Sequence, residues 1–200
     1  MGLDNPFFDK NDTEHLSWSY QLPHWHQNEK YVFVTFRLAD SLPQNKLNEL
    51  RDEKLKWEKL HPLPRSEKDE KEYQKLFGSV IDRWLDNNYG ACLLQKDENR
   101  AIVENALHFY DGLRYELISY VVMPNHVHIL VRALGDREIL STIYSIKNYT
   151  ARQINKATGS RGHLWQSESF DRLIRSEEHL KRVIHYIVRN NPRLAWVRGK

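Results

Sequence analysis

The sequence predicts an α+β fold: a four-stranded antiparallel sheet with helices on one face. Two observations predict it. Strand-like and helix-like patterns follow one another along the 200 residues as strand, helices, strand, strand, helix, strand, helix, an order close to βαββαβ plus a terminal helix. The two central apolar runs, 117–122 and 127–132, are separated only by Met123-Pro124-Asn125-His126. Pro124 breaks a strand ladder and Asn125 favours a turn, so these runs form a hairpin.

Residues 1–29 are polar and aromatic without a clear period and read as an irregular N-terminal arm ending in Leu22-Pro23-His24-Trp25-His26. The run Tyr31-Val32-Phe33-Val34-Thr35-Phe36-Arg37-Leu38 is rich in β-branched and aromatic residues and predicts the first strand. Asp40-Ser41-Leu42-Pro43 ends it. Residues 45–60 are helical by period and charge, and His61-Pro62-Leu63-Pro64 breaks the helix. Ser66 is placed to cap a second helix, 67–85, with Leu76, Val80 and Trp84 at helical spacing. Residues 44–88 therefore read as a helical insertion after the first strand of a single domain spanning 1–200. Residues 97–110 are amphipathic, with Ile102, Val103, Ala106, Leu107 and Tyr110 on one face. The hairpin occupies 113–133. Asp136 is a candidate cap for a helix over 137–157 that stops at Gly159. Residues 163–174 are extended in character. Ser176, followed by Glu177 and Glu178, opens a last helix to about Arg189, and Asn190-Asn191-Pro192 ends it. The whole is a ferredoxin-like arrangement with no internal repeat.

The net charge of +3 is unevenly spread. Residues 145–200 carry 12 Lys+Arg against 4 Asp+Glu, a net of +8, and the remainder carries 18 against 23, a net of −5. A basic C-terminal part on an otherwise acidic chain suits a polyanionic partner. Cys92 is the single cysteine, which excludes a disulfide framework and a Cys-based zinc site and fits a reducing interior. Residues 1–30 hold no apolar signal core, and no run approaches the roughly 18 apolar residues of a membrane span. A cytoplasmic location with no membrane partner is expected.

The chemistry centres on Met123-Pro124-Asn125-His126-Val127-His128. On a strand, His126 and His128 point to the same face, about 6–7 Å apart at Cβ. Two imidazoles so placed can converge on one metal ion and leave positions open for substrate; the other reading is a pair of surface or core histidines. On the last helix, Tyr186 and Asn190 are four residues apart and share a face. A tyrosine with a polar ligand one turn on could complement the histidines, or it could pack with Leu180, Val183 and Ile187. Tyr144 and Tyr149, on the helix after the hairpin, are competing tyrosines. Lys147, Arg152, Lys156, Arg161, Arg172 and Arg175 are candidates for phosphate contacts. Trp165 is a candidate base-stacking platform or a core residue, and His24 and Trp25 are candidates for nucleic-acid contact from the arm.

Taken together, these strings resemble the REP-associated tyrosine transposases, domesticated relatives of the small single-tyrosine insertion-sequence transposases, both within the HUH nucleases. The resemblance rests on Met123-Pro124-Asn125-His126-Val127-His128, Leu164-Trp165-Gln166 with Phe170-Asp171, Tyr186-Ile187 and Asn191-Pro192. The 31–43 segment, with Arg37 and Asp40-Ser41-Leu42-Pro43, adds to it. It covers roughly residues 20–198, least well over 44–88. It implies that His126 and His128 bind a divalent metal, Mg²⁺ or Mn²⁺, that Tyr186 is the nucleophile and that Asn190 is a candidate third ligand. The implied activity is a metal-dependent endonuclease and strand transferase on single-stranded or hairpin DNA (REP-like palindromes), with a 5′-phosphotyrosine intermediate and a free 3′-hydroxyl. Relatives act as a monomer or a homodimer. The chain departs from the family in one place. Family members often read Tyr-Ile-x-x-Asn-Pro, whereas here Tyr186 is followed by Ile-Val-Arg-Asn190-Asn191-Pro192. The extra residue leaves Asn190 and Asn191 both open as ligand, and helical rotation favours Asn190. A hairpin-binding protein without catalysis, or a metal-dependent nuclease using water, would share most of these features.

Overall fold

The computed structural model describes residues 5–9, 16–19, 22–25, 27–62, 66–73, 76–77, 80, 84–135 and 138–200. The four expected strands are β3 (Tyr31–Arg37), β4 (Tyr115–Val122), β5 (His126–Ala133) and β6 (Phe170–Leu173). They pair antiparallel in the order β6-β3-β5-β4. Numbered along the chain that is fourth-first-third-second, the ferredoxin-like order. A fifth strand, β7 (Trp196–Val197), extends the β4 edge through Ser119↔Val197 and Tyr120↔Trp196. Two residues carry too short a pattern to be recognised in the sequence. The chain reaches that edge because Leu194 and Ala195 donate back to the Asn191 carbonyl and turn it at the end of the last helix.

Strand alternation sorts β5 into two faces. Val127, Ile129 and Val131 face the larger core, covered by α3 (Asp97–Phe109) and α4 (Ile139–Thr158). Val103, Ala106, Leu107, Ile143, Ile146 and Ile154 are the helical side of that core, each large aliphatic contributing about 1.5–3 kcal/mol when fully buried. The opposite face, with Phe33, Val121 and Leu130, is covered by Val183 and Ile187 of α5 (Glu177–Asn190). His126 and His128 belong to this second face, so the fold sets them under α5.

Local signals set the helix ends. Ser176 Oγ accepts from the His179 N–H at 3.2 Å and caps α5, with Glu177 and Glu178 in its first turn. α4 stops at Gly159, whose φ of 67° closes the helix left-handed; its expected cap, Asp136, lies outside the described residues. The insertion holds α1 (Gln44–Leu60) and α2 (Glu67–Tyr73). Ser66 caps α2, accepting from the Asp69 N–H at 3.2 Å. Leu42, Leu50, Trp57, Phe77 and Leu85 form a separate apolar cluster there. The N-terminal arm is not wholly irregular: β1 (Leu16–Ser19) and β2 (Leu22–Trp25) pair as a short hairpin. Ahead of them, Tyr31 donates to Pro6 O at 3.0 Å and Phe8 to Ile174 O at 2.8 Å. Among the described residues no helix is long and apolar enough to cross a membrane.

Candidate active site

The β4–β5 turn is fixed from three sides. Met123 N–H donates to His126 O at 2.9 Å, Leu38 N–H to Asn125 O at 2.9 Å and Leu94 N–H to Pro124 O at 3.1 Å. Asn125 is fully buried. Its Nδ2 donates to Leu85 O at 3.3 Å and to Tyr89 O at 3.1 Å. That orientation leaves Oδ1, an acceptor only, 2.7 Å from His126 Nδ1. The network therefore assigns the imidazole proton to Nδ1 and a bare lone pair to Nε2.

His128 lies opposite Thr35 in the β3–β5 register, and its Nδ1 is 2.8 Å from Thr35 Oγ1. The two Nε2 atoms face each other at 3.1 Å. Burial pushes the His126 imidazole down to about 3, and burial together with neighbouring His126 holds His128 well below its ordinary value. Both rings are neutral near pH 7, as metal ligands must be. Two neutral Nε2 atoms 3.1 Å apart could both serve as ligands of one divalent cation, and so few nitrogen donors suit Mg²⁺ or Mn²⁺ with positions left for substrate oxygens. Second contacts on each Nδ1, from Asn125 and Thr35, are the support that metal-bound histidines require. Among the described residues no group of three or more His, Cys, Asp and Glu side chains gathers here. The donor set is two neutral nitrogens, which fits an open site rather than a closed structural one.

α5 brings Tyr186 to the same place. Its hydroxyl stands 3.3 Å from His128 Nε2. Its ring meets His128 at 5.1 Å and Phe33 edge-on at 6.0 Å, and Phe33 stacks on His128 at 5.5 Å. Asn190, one turn on, donates through Nδ2 to Tyr186 O at 2.9 Å and keeps Oδ1 as its remaining donor atom. Asn191 Oδ1 accepts from the Arg193 N–H at 3.1 Å, within the turn that ends α5. Tyr144 and Tyr149 are exposed on α4, across the sheet from the histidines.

The expected nucleic-acid contacts separate. Arg152 is exposed on α4, as are Lys156 and Arg161 beyond it. Arg172, on β6, is half-buried beside Tyr186. Lys147 corrects the expectation of a surface phosphate contact. It is 6% exposed, and its Nζ donates to Ser167 O at 2.8 Å and to Ser169 Oγ at 3.3 Å. Its position on the Ile143–Thr150–Ile154 stripe of α4 turns it inward. Trp165 is a core residue rather than a stacking platform: it packs edge-on against Phe36 at 5.0 Å and donates from Nε1 to Thr150 Oγ1 at 2.9 Å. The side chains of His24 and Trp25, on β2, lie outside the described residues. Sequence reasoning missed Thr35 and the orienting role of Asn125. Asn125 adjoins the first histidine in the string itself, whereas Thr35 needs the strand register to be found.

The site lies within a stretch of the chain that is similar to known proteins. The family model "Transposase IS200 like" matches residues 87–190, just over half of the chain, including both histidines and Tyr186. A solved REP-associated tyrosine transposase bound to a REP hairpin is 15% identical, with a TM-score of 0.41, covering 88% of this chain and 74% of that one. A candidate transposase of Deinococcus radiodurans R1 is 14% identical, with a TM-score of 0.33, covering 86% of this chain and 98% of that one. No curated protein sequence matches at the same significance.

Proposed function

This chain belongs to the IS200-like transposase family, and from that premise we propose that it is a metal-dependent nicking and strand-transfer enzyme acting on single-stranded, hairpin-bearing DNA in the cytoplasm. One observation carries the reading: the Tyr186 hydroxyl, His128 Nε2 and His126 Nε2 form a continuous row with steps of 3.3 and 3.1 Å. A phenol at the mouth of a paired-imidazole site is what attack on a phosphodiester requires.

Tyr186 is the nucleophile. Its oxygen bonds to phosphorus as the P–O3′ bond breaks. The phenol proton passes to solvent, and the leaving oxygen takes a proton from water to become a free 3′-hydroxyl. The 5′ side remains as a phosphotyrosyl ester, so the strand can be rejoined without an external energy source. Near pH 7.5 ionising a phenol costs about 3–4 kcal/mol, which the site has to offset. His126 and His128 would hold a divalent cation, with Asn190 Oδ1 the candidate third ligand. When bound, Mg²⁺ or Mn²⁺ supplies Lewis-acid polarisation of the phosphoryl oxygens and neutralises their charge. Asn125 and Thr35 orient the two rings. Phe33 and His128 fix the Tyr186 ring in place, which limits the orientations it must search. Arg152, Lys156 and Arg161 are proposed phosphate contacts for DNA that extends past the catalytic face to the α4 side, so affinity for DNA should fall steeply with salt.

The test is direct. Hairpin-bearing single-stranded DNA is incubated with the protein and Mn²⁺ and resolved under denaturing conditions. The wild type is expected to give a protein–DNA adduct and a released fragment ending in 3′-hydroxyl, and Tyr186→Phe neither. An adduct that survives in Tyr186→Phe refutes the assignment; cleavage without an adduct favours attack by water.

A further inference from the structure

A cleft of about 350 Å³ opens beside Tyr186, with Phe33 and Val183 as apolar walls and Arg172, His179 and Arg182 as polar ones. The two arginines come from different elements. Arg172 is the register partner of Phe33 across β3 and β6, and Arg182 lies one helical turn before Tyr186 on α5. Among the described residues neither guanidinium joins an ion pair: the pair on α5 is Lys181–Glu177 at 2.6 Å. Exposed Glu178 acts on Arg182 only through longer-range Coulomb attraction. Arg175 is turned elsewhere, 5.5 Å over the Phe8 ring. His179 Nδ1 accepts from the Arg175 N–H at 3.3 Å, so in the neutral ring the proton is on Nε2, available to donate. Burial, and after it the charges of Arg172, Arg182 and Arg175, push His179 down to about 4. Like charges collected around an apolar floor repel one another unless an anion joins them.

We propose that this cleft is a phosphodiester subsite, in which Arg172 and Arg182 grip the backbone phosphate of the nucleotide next to the scissile linkage. Guanidinium forks match phosphate oxygens in paired hydrogen bonds. Tyr186 is a wall of both the cleft and the imidazole site, so a strand seated in one is delivered to the other. The proposal rests on the reading of the chain as a single-stranded-DNA enzyme.

Binding of fluorescent oligothymidylate is measured across a salt series in a Tyr186→Phe background, where no cleavage intervenes. Arg172→Gln with Arg182→Gln should weaken binding about tenfold and lower the salt slope by about 0.7 for each phosphate no longer neutralised. Lys181→Gln, the same charge change on the same helix outside the cleft, should stay within about twofold. The paired Arg→Lys changes should keep most of the slope and part of the affinity. Unmodified protein gives a second measure: oligothymidylate with neutral methylphosphonate linkages should bind more weakly to it than the ordinary oligomer does, and that loss should be smaller for the doubly substituted protein. Equal affinity and slope for the double Gln variant and Lys181→Gln overturn the subsite and leave the DNA reading standing. A parent protein with no salt-dependent DNA binding overturns both.

Discussion

Asn125 joins the stability of the fold to the geometry of the site. Asn125→Ala removes one acceptor and two donors at a fully buried position. Three bonds are then lost, from His126 Nδ1 at 2.7 Å, to Tyr89 O at 3.1 Å and to Leu85 O at 3.3 Å, although Leu85 O still accepts from the Asn88 N–H at 3.0 Å. At about 1 kcal/mol for each bond, and more where the partner stays dry, the destabilisation comes to about 3–4 kcal/mol, a large part of the roughly 5–15 kcal/mol typical of a domain. Without the group that orients a ligating imidazole, metal affinity falls about 10–100-fold. Asn125→Asp separates the two effects. It keeps an oxygen for the Nδ1–H, so Mn²⁺ affinity should fall far less than in the alanine variant. Its carboxylate faces two carbonyl oxygens, so stability should fall at least as much. Guanidinium denaturation measures the stability and calorimetric Mn²⁺ titration the affinity. If both variants lose Mn²⁺ affinity equally, or Asn125→Ala binds Mn²⁺ as the wild type does, the orienting role of Asn125 is wrong.

Three further outcomes are expected. Burial, then the neighbouring Arg37 charge, pushes Lys147 down to about 8 from 10.5, so between those values the unfolded chain binds more protons and stability rises with pH. The gap corresponds to about 3 kcal/mol, read as the difference in denaturation free energy between wild type and Lys147→Met at pH about 7 and about 10; a difference that does not change with pH contradicts it. Trp165→Phe should cost about 1–2 kcal/mol with its bond to Thr150 and leave DNA affinity unchanged; weaker DNA binding at full stability would restore a stacking role. Thr35→Val should lower Mn²⁺ affinity about tenfold through His128, and unchanged affinity on titration would remove Thr35 from the site.

The sheet was legible because its strands carry unbroken β-branched and aromatic runs, and the His126–His128 face followed from alternation alone. Helical spacing put Tyr186 and Asn190 on one face of the last helix, and the family resemblance, not the spacing, singled out Tyr186. What stayed hidden depends on register or on another element. Thr35 meets His128 only because β3 pairs with β5 in one register. The core placement of Trp165 follows from its bridge to Leu38. β7 is too short to carry a pattern. Lys147 carries its own signal, because it lies on the buried stripe of α4 and helical period outranks charge there. The arm hairpin β1–β2 depends on Leu16↔Trp25 pairing, which no alternation in that polar segment announces.

The central claim is that Tyr186 forms a covalent bond to DNA. The most direct measurement is mass spectrometry of the trypsin-digested adduct formed with Mn²⁺ and hairpin-bearing single-stranded DNA. The account predicts the nucleotide on the peptide 183–189, which holds Tyr186. A nucleotide on the peptide 148–152, which holds Tyr149, or cleaved DNA with no modified peptide, would contradict it.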